Sequence, residues 1–139
     1  MKITIKNLQK KIPVYPKRIK KSILEVLAKE AKRKSGEITV CFVNDTCIKK
    51  LNLKYHRRNQ ATDVLAFDDT QKNDSSLMLA DIAVSVDTAR RNAKKFNTLL
   101  ADELRLYAIH GLLHLLGFAD RTKKQRELMR KKERKYANT

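Results

Sequence analysis

Residues 109–122 read IHGLLHLLGFADRT. Two of the three histidines of the chain, His110 and His114, lie here four residues apart in a run that is otherwise almost entirely apolar. Positions i and i+4 share a helix face, close enough for both imidazoles to touch one metal ion. The bland alternative is a pair of core histidines, because H-x3-H alone is a weak pattern. Three features favour a metal. The segment from Leu104 to Leu116 is apolar nearly all round, so both imidazoles should be substantially buried and in need of partners, and one cation satisfies both. Gly111 lies mid-helix, where glycine costs about 1 kcal/mol relative to alanine; it points to a close approach of the backbone by a strand or by substrate. Gly117 is placed to end the helix as a left-handed cap, turning the chain so that Asp120 comes back within reach. Two histidines and a carboxylate suit zinc, with a fourth position open to water. The same donors would also suit nickel, iron or manganese. A zinc protease is disfavoured, since H-E-x-x-H puts a glutamate where this chain has Gly111. Any proton acceptor must come from elsewhere.

Upstream, KITIKNL alternates as a strand does. YPKRIKKSILEVLAKEAKRK carries Ile19, Ile23, Val26 and Leu27 at helical spacing, with Pro16 in the first turn and Ser35–Gly36 as the stop. EITVCFVN is a second strand, and Asn44 or Asp45 is positioned to cap a helix over TCIKKLNLKYH. RRNQAT is a polar loop, DVLAF a third strand, DDTQKNDSS a polar turn or flexible loop, and LMLADIAVSV a fourth strand. Asp87 is placed to cap a basic helix through TARRNAKKFN. The histidine helix follows, then a strongly charged helix over RTKKQRELMRKKERKYA, with the last few residues fraying. The order β-α-β-α-β-β-α-α-α, with one hairpin-like β-β step, predicts an α+β fold. A chain of 139 residues without repeat, linker or low-complexity segment is expected to form a single domain, residues 1–139.

Charge narrows the partner. Lys plus Arg number 32 against 15 Asp plus Glu, a formal net charge of +17. A field of that sign favours polyanions, nucleic acid above all, although many of these residues belong to solvated faces. The apolar run around the histidines is too short to span a bilayer, and the N-terminus lacks the apolar core of a secretory signal. Cys41 and Cys47 form no CxxC pair and are read as reduced core residues of a cytosolic protein.

HGLLHLLGFAD resembles the signature of the YbeY family of bacterial endoribonucleases, roughly H-G-x-L-H-L-x-G-Y-D-H. LNLKYHRRNQATDVLAF is similar to that family's L-N-x-x-Y-R-x-K-D-x-x-T-D-V-L-S-F block, and LADIAVSVDTARRNA to its G-D-I-x-I-S-x-x-x-A block. The three keep the family's order and approximate spacing across residues 51–120. The resemblance implies a small mixed four-stranded sheet packed with about five helices, one of them a zincin-like metal-binding helix. It also implies one zinc ion per chain held by three side chains. His110 and His114 fall on the first two ligand positions, and Asp120 stands where the family has its third histidine. Ala119 replaces the family's preceding aspartate. The family's arginine after the tyrosine, thought to handle RNA phosphate, is His56 here, followed by Arg57 and Arg58. Its lysine falls on Arg58, its next aspartate on Asn59, and the glycine opening the third block on Ala80.

Asp120 is a chemically conservative ligand, but its charge makes the metal a weaker Lewis acid. His56 has three open readings: a phosphate ligand when protonated, a general base, or a loop residue. The resemblance implies a metal-dependent endoribonuclease that prefers single strands and acts in ribosomal RNA maturation and ribosome quality control. In that reading His110, His114 and Asp120 hold the metal, and Arg57 and Arg58 bind phosphate and stabilise developing charge. Thr62 is read as a turn hydrogen-bonder and Asp63 as a cap or arginine partner. Asp81 could line the site or orient a ligand histidine. Expected partners are ribosomal RNA precursors and the small ribosomal subunit, with a ribosome-associated GTPase as a further candidate, a cytoplasmic location and no membrane. The alternative is a ribosome-assembly factor that binds RNA while its metal is structural or absent.

Overall fold

The period-2 runs and the helical runs read from the sequence become β1 (Lys2–Asn7), α1 (Pro16–Glu30), β2 (Ser35–Val43), α2 (Asp45–His56), β3 (Val64–Asp68), β4 (Leu77–Ser85), α3 (Val86–Phe96), α4 (Leu100–Leu115) and α5 (Lys123–Ala137). The structure is a computed structural model describing residues 1–33, 35–70 and 76–137. Five residues of the expected polar loop, 71–75, and the C-terminal pair expected to fray, 138–139, lie outside the described residues.

The sheet order is β1-β2-β4-β3. β2 pairs parallel with both β1 and β4, from Ile3↔Ile38 on one side to Val40↔Ile82 on the other. β3 pairs antiparallel with β4, setting Val64 opposite Val84 and Phe67 opposite Asp81. Among the described residues this is the expected mixed four-stranded sheet with five helices, an α+β arrangement.

Alternation sorts the two faces. Ile3, Ile38, Val40, Phe42, Met78, Ala80, Ile82 and Val84 join Ile19, Ile23 and Val26 of α1 and Leu104, Ala108 and Leu112 of α4 in the main core. Leu65 and Ala83 point the other way and meet Ile48 of α2 in a smaller cluster, flanked by Cys41, Cys47, Leu51 and Phe67. Both cysteines are free and half-buried. The histidine helix is apolar on almost every side because it packs against the sheet as well as against α1, α3 and α5.

Two local expectations change. α1 stops at Glu30, where Ala31 turns extended, ψ 134°, rather than running on to the Ser35–Gly36 pair. That pair instead begins β2 opposite Leu77 and Met78. Gly36 has φ +126°, and a Cβ there would sit 1.9 Å from the Met78 carbonyl oxygen, so the glycine serves strand contact rather than helix termination. Asn44 caps α2 as expected, its Oδ1 accepting from the Cys47 N–H at 2.8 Å. Asp87 does not cap its own helix. Ser85 does that, accepting from the Thr88 N–H, while Asp87 Oδ2 accepts from the Asp45 N–H at 2.8 Å, at the start of α2. The starts of α2 and α3 thus cap each other, and Asp45 returns the contact by accepting from Ser85 Oγ, Thr88 Oγ1 and Arg91 Nη1.

Candidate metal centre

Both histidines sit on α4, on either side of the glycine that meets the sheet. Gly111 faces the strands: a Cβ there would lie 2.9 Å from Ile82 Cγ2 and 3.0 Å from Val64 Cγ2. The close approach expected at this glycine is therefore made by side chains of β4 and β3. His110, one position earlier, turns toward α5. Both imidazoles are half-buried rather than deeply buried, with side chains 24% and 33% exposed.

The end of α4 is a full Schellman turn. Gly117 at φ +100° donates to His114 O at 3.0 Å, and Phe118 donates to Leu113 O at 3.0 Å. This turn sends residues 118–120 back along the helix. Arg126 of α5 fixes the returning segment, donating from Nη1 to Arg121 O at 2.8 Å and to Asp120 O at 3.5 Å.

The three predicted ligands come together. His110 Nε2 and His114 Nε2 are 2.9 Å apart, and Asp120 Oδ2 lies 3.3 Å from the second and 3.8 Å from the first. Tetrahedral zinc with bonds near 2.0–2.1 Å requires ligand atoms roughly 3.3 Å from one another. The triangle brackets that value, so its donor set could hold a metal ion.

Glu133 supplies what the sequence reading missed. Its Oε1 lies 2.5 Å from His110 Nδ1. A carboxylate there takes the Nδ1 proton as its partner and leaves the Nε2 lone pair aimed at the triangle. Burial by itself would lower the His110 pKa; the Glu133 hydrogen bond and charge, helped by Asp63 and Asp120, outweigh it and leave it raised. The same negative field that favours a proton on this ring favours a metal cation beside it.

A cavity of about 290 Å³ opens beside His110, walled by Asp63, Tyr107, Asp120, Arg126, Arg130 and Glu133, with apolar side chains behind. Asp63 is both a turn residue and a wall of the site: its Oδ1 accepts from the Val64 N–H at 2.8 Å and from Thr62 Oγ1 at 3.3 Å. Asp81 lies elsewhere. It points to the α2 side of the sheet, next to Asp69, and orients no ligand histidine.

His56, Arg57 and Arg58 are exposed at the end of α2. Arg57 takes the left-handed conformation, φ 56°, that closes the helix. The loop beyond is tied down by buried Asn52, whose Nδ2 donates to Gln60 O at 2.9 Å. The His56 ring stacks on Phe67, centroids 5.9 Å apart, on the sheet face opposite Gly111. None of these three side chains lines the cavity beside His110.

Glu133, Arg126 and Arg130 were concealed in a helix that reads as a solvated charge run. The available signal is periodic: Glu133 falls four residues after buried Met129 and three before buried Tyr136, an acid on the core-facing stripe.

Known proteins resemble this chain over its length. A sequence profile described as Endoribonuclease YbeY matches residues 4–139. The chain is 38% identical over 138 residues to the endoribonuclease YbeY of Syntrophus aciditrophicus, covering 96% of this chain and 86% of the relative. It is 40% identical over 98 residues to that of Christiangramia forsetii, covering 70% and 66%. A solution structure of a Thermotoga maritima protein superposes with a TM-score of 0.64 at 27% identity, over 98% of this chain and 87% of that one. The profile spans the metal triangle, its Glu133 support and the sheet on which α4 rests, and on that match the chain belongs to the endoribonuclease YbeY family.

Proposed function

We propose that this protein is a metal-dependent endoribonuclease, a hydrolase of phosphodiester bonds with a preference for single-stranded RNA. The observation that carries the reading is the His110–His114–Asp120 triangle opening onto a cavity beside Glu133, in a chain of net charge +17. Family membership supports it, since the relatives are named endoribonucleases. Zinc is the proposed metal, one per chain, held by those three side chains. When bound, it would supply Lewis acidity toward a phosphodiester oxygen and acidify water.

The protein's own groups do the rest. Glu133 holds the His110 ring by its Nδ1 proton. Asp63, with Oδ1 committed to Val64 and Thr62, presents a carboxylate to the cavity as a proton acceptor. Arg57 and Arg58, exposed on the loop that leads to Asp63, bind phosphates further along the strand. His56, held against Phe67, flanks that path.

The proposed substrate is ribosomal RNA precursor on the small ribosomal subunit, with a ribosome-associated GTPase as a further partner and the cytoplasm as the place of action. No described helix is long and apolar enough to cross a membrane. The direct test compares wild type with His114→Ala. The variant should lose RNA cleavage while keeping nearly all its RNA affinity. Equal cleavage by both would overturn the metal mechanism. Wild type that binds RNA, holds no metal and does not cut it would establish the RNA-binding assembly factor instead.

A further inference from the structure

The cavity beside His110 poses a charge problem. Asp63, Asp120 and Glu133 all line it, and three carboxylates repel a phosphodiester. A divalent ion in the triangle would still leave one negative charge in excess. His56, Arg57 and Arg58 do not line the cavity, and the His56 ring rests on Phe67 across the sheet. Cationic groups at the cavity must come from another element.

They come from α5. Arg126 and Arg130 are one helical turn apart on the same face, and they are the arginines that line the cavity. Both are exposed at its mouth. Arg126 uses Nη1 on the carbonyls of Arg121 and Asp120, which pins the guanidinium beside the third ligand. Arg130 makes no hydrogen bond or ion pair among the described residues, although Glu133 and Asp63 line the same cavity. Their two charges turn the cavity positive once a divalent ion is bound. A planar guanidinium presents paired N–H donors matched to two phosphate oxygens.

We propose that Arg126 and Arg130 form a phosphate clamp at the mouth of this cavity, holding a phosphodiester of single-stranded RNA against the His110–His114–Asp120 triangle. The clamp rests on the reading of the triangle as a site acting on RNA. It adds that the contact nearest the chemistry is made by the last helix, not by the loop after α2.

The test separates binding from cutting. Metal-loaded wild type, Arg126→Gln, Arg130→Gln and the double variant are titrated with a short single-stranded 2′-O-methyl oligonucleotide, its integrity checked by gel. Lys20→Gln, on the exposed side of α1, controls for loss of one charge from the general field. Each clamp substitution should weaken binding about tenfold. The dependence of log affinity on log salt should flatten by roughly 0.7 per lost phosphate contact. Arg130→Lys should recover part of the affinity, since it keeps the charge and loses the fork. Metal content is measured throughout, and Arg130→Gln is the decisive variant because Arg130 does not touch the Asp120 segment. Affinity and salt slope equal to those of Lys20→Gln overturn the clamp, as does a wild type that does not bind the oligonucleotide. If wild type binds but leaves single-stranded RNA uncut, the nuclease reading fails, while loss of binding in Arg130→Gln still supports the clamp.

Discussion

His110 Nδ1 lies 2.5 Å from Glu133 Oε1, although 23 residues separate them in the chain. The contact joins the metal-binding helix to the last helix and fixes which imidazole nitrogen carries the proton. Glu133→Gln keeps an oxygen able to accept from Nδ1–H but removes the charge, and metal affinity should fall about tenfold. Glu133→Ala removes both, and the loss should approach about a hundredfold. Competition against a chromogenic chelator measures each value. Affinities equal to wild type would show that the carboxylate has no part in holding the ligand.

Asp120 can be altered without threatening the fold. Its side chain is 44% exposed, and substitutions at such sites usually change stability by about 0.5 kcal/mol or less. Asp120→Ala should therefore stay folded and lose most of its bound metal. Asp120→His restores a third imidazole and should again bind one ion per chain. Elemental analysis of tag-free protein purified without chelators decides the matter. A full complement of metal in Asp120→Ala would place the third ligand elsewhere.

Much of this arrangement was legible in the sequence, and the failures have physical causes. The element order and the histidine face follow from periodicity, which local geometry obeys. The meaning of Gly111 and Gly117 also came through, because a glycine in a helix or at its end has few explanations. Asp87 misled because an acid at a helix start is locally a good cap; its partner, the Asp45 N–H, is 42 residues away and visible only after folding. Glu133 was missed for the same reason, its partner lying on another helix. Asp81 sits in a family motif, yet strand parity turns it to the far face.

Gly111→Ala tests how tightly α4 sits on the sheet. Alanine gains about 1 kcal/mol of helix propensity. Its Cβ would press Ile82 and Val64 at 2.9 and 3.0 Å, and overpacking of this kind costs about 1–3 kcal/mol. The net expectation is a loss of up to about 2 kcal/mol, read from denaturant unfolding. Because His110 is the preceding residue, metal affinity should drop with it. A more stable variant with unchanged affinity would mean that the helix can shift away from the strands without cost.

Asp45 ties the starts of α2 and α3 together, and its loss should be felt most at neutral pH. Burial would raise its pKa, but hydrogen bonds from Arg91, Ser85 and Thr88 hold it below the ordinary carboxylate value of 3.8. A depressed carboxylate contributes stability above its unfolded pKa and loses it as pH falls through the folded one. Asp45→Ala should destabilise the protein by about 1–3 kcal/mol near pH 7, with the difference narrowing under acid. A gap between variant and wild type that stays constant down to pH 3 would assign the loss to packing rather than to charge.

Asp81 should behave in the opposite sense. A hydrogen bond with Asp69, then burial, then the Asp69 charge push it up to about 6, against the pull of Lys6 and with Glu37 adding to the rise. Its unfolded value is the ordinary 3.8, so between about pH 4 and pH 6 the native state holds a proton that the unfolded chain has released. Stability from this group therefore falls as pH rises through that window, and above it the two carboxylates repel each other in full. Asp81→Asn keeps a donor for Asp69 and carries no charge, so it should be more stable than wild type at pH 7. The gain should be about 1 kcal/mol or less, because Asp81 is exposed and solvent screens the pair. It should vanish near pH 4, where wild type carries its own proton. Thermal unfolding of both proteins across pH 4–7 gives the answer. Parallel curves would mean that native Asp81 holds no proton in that window and that its contact with Asp69 does not raise it.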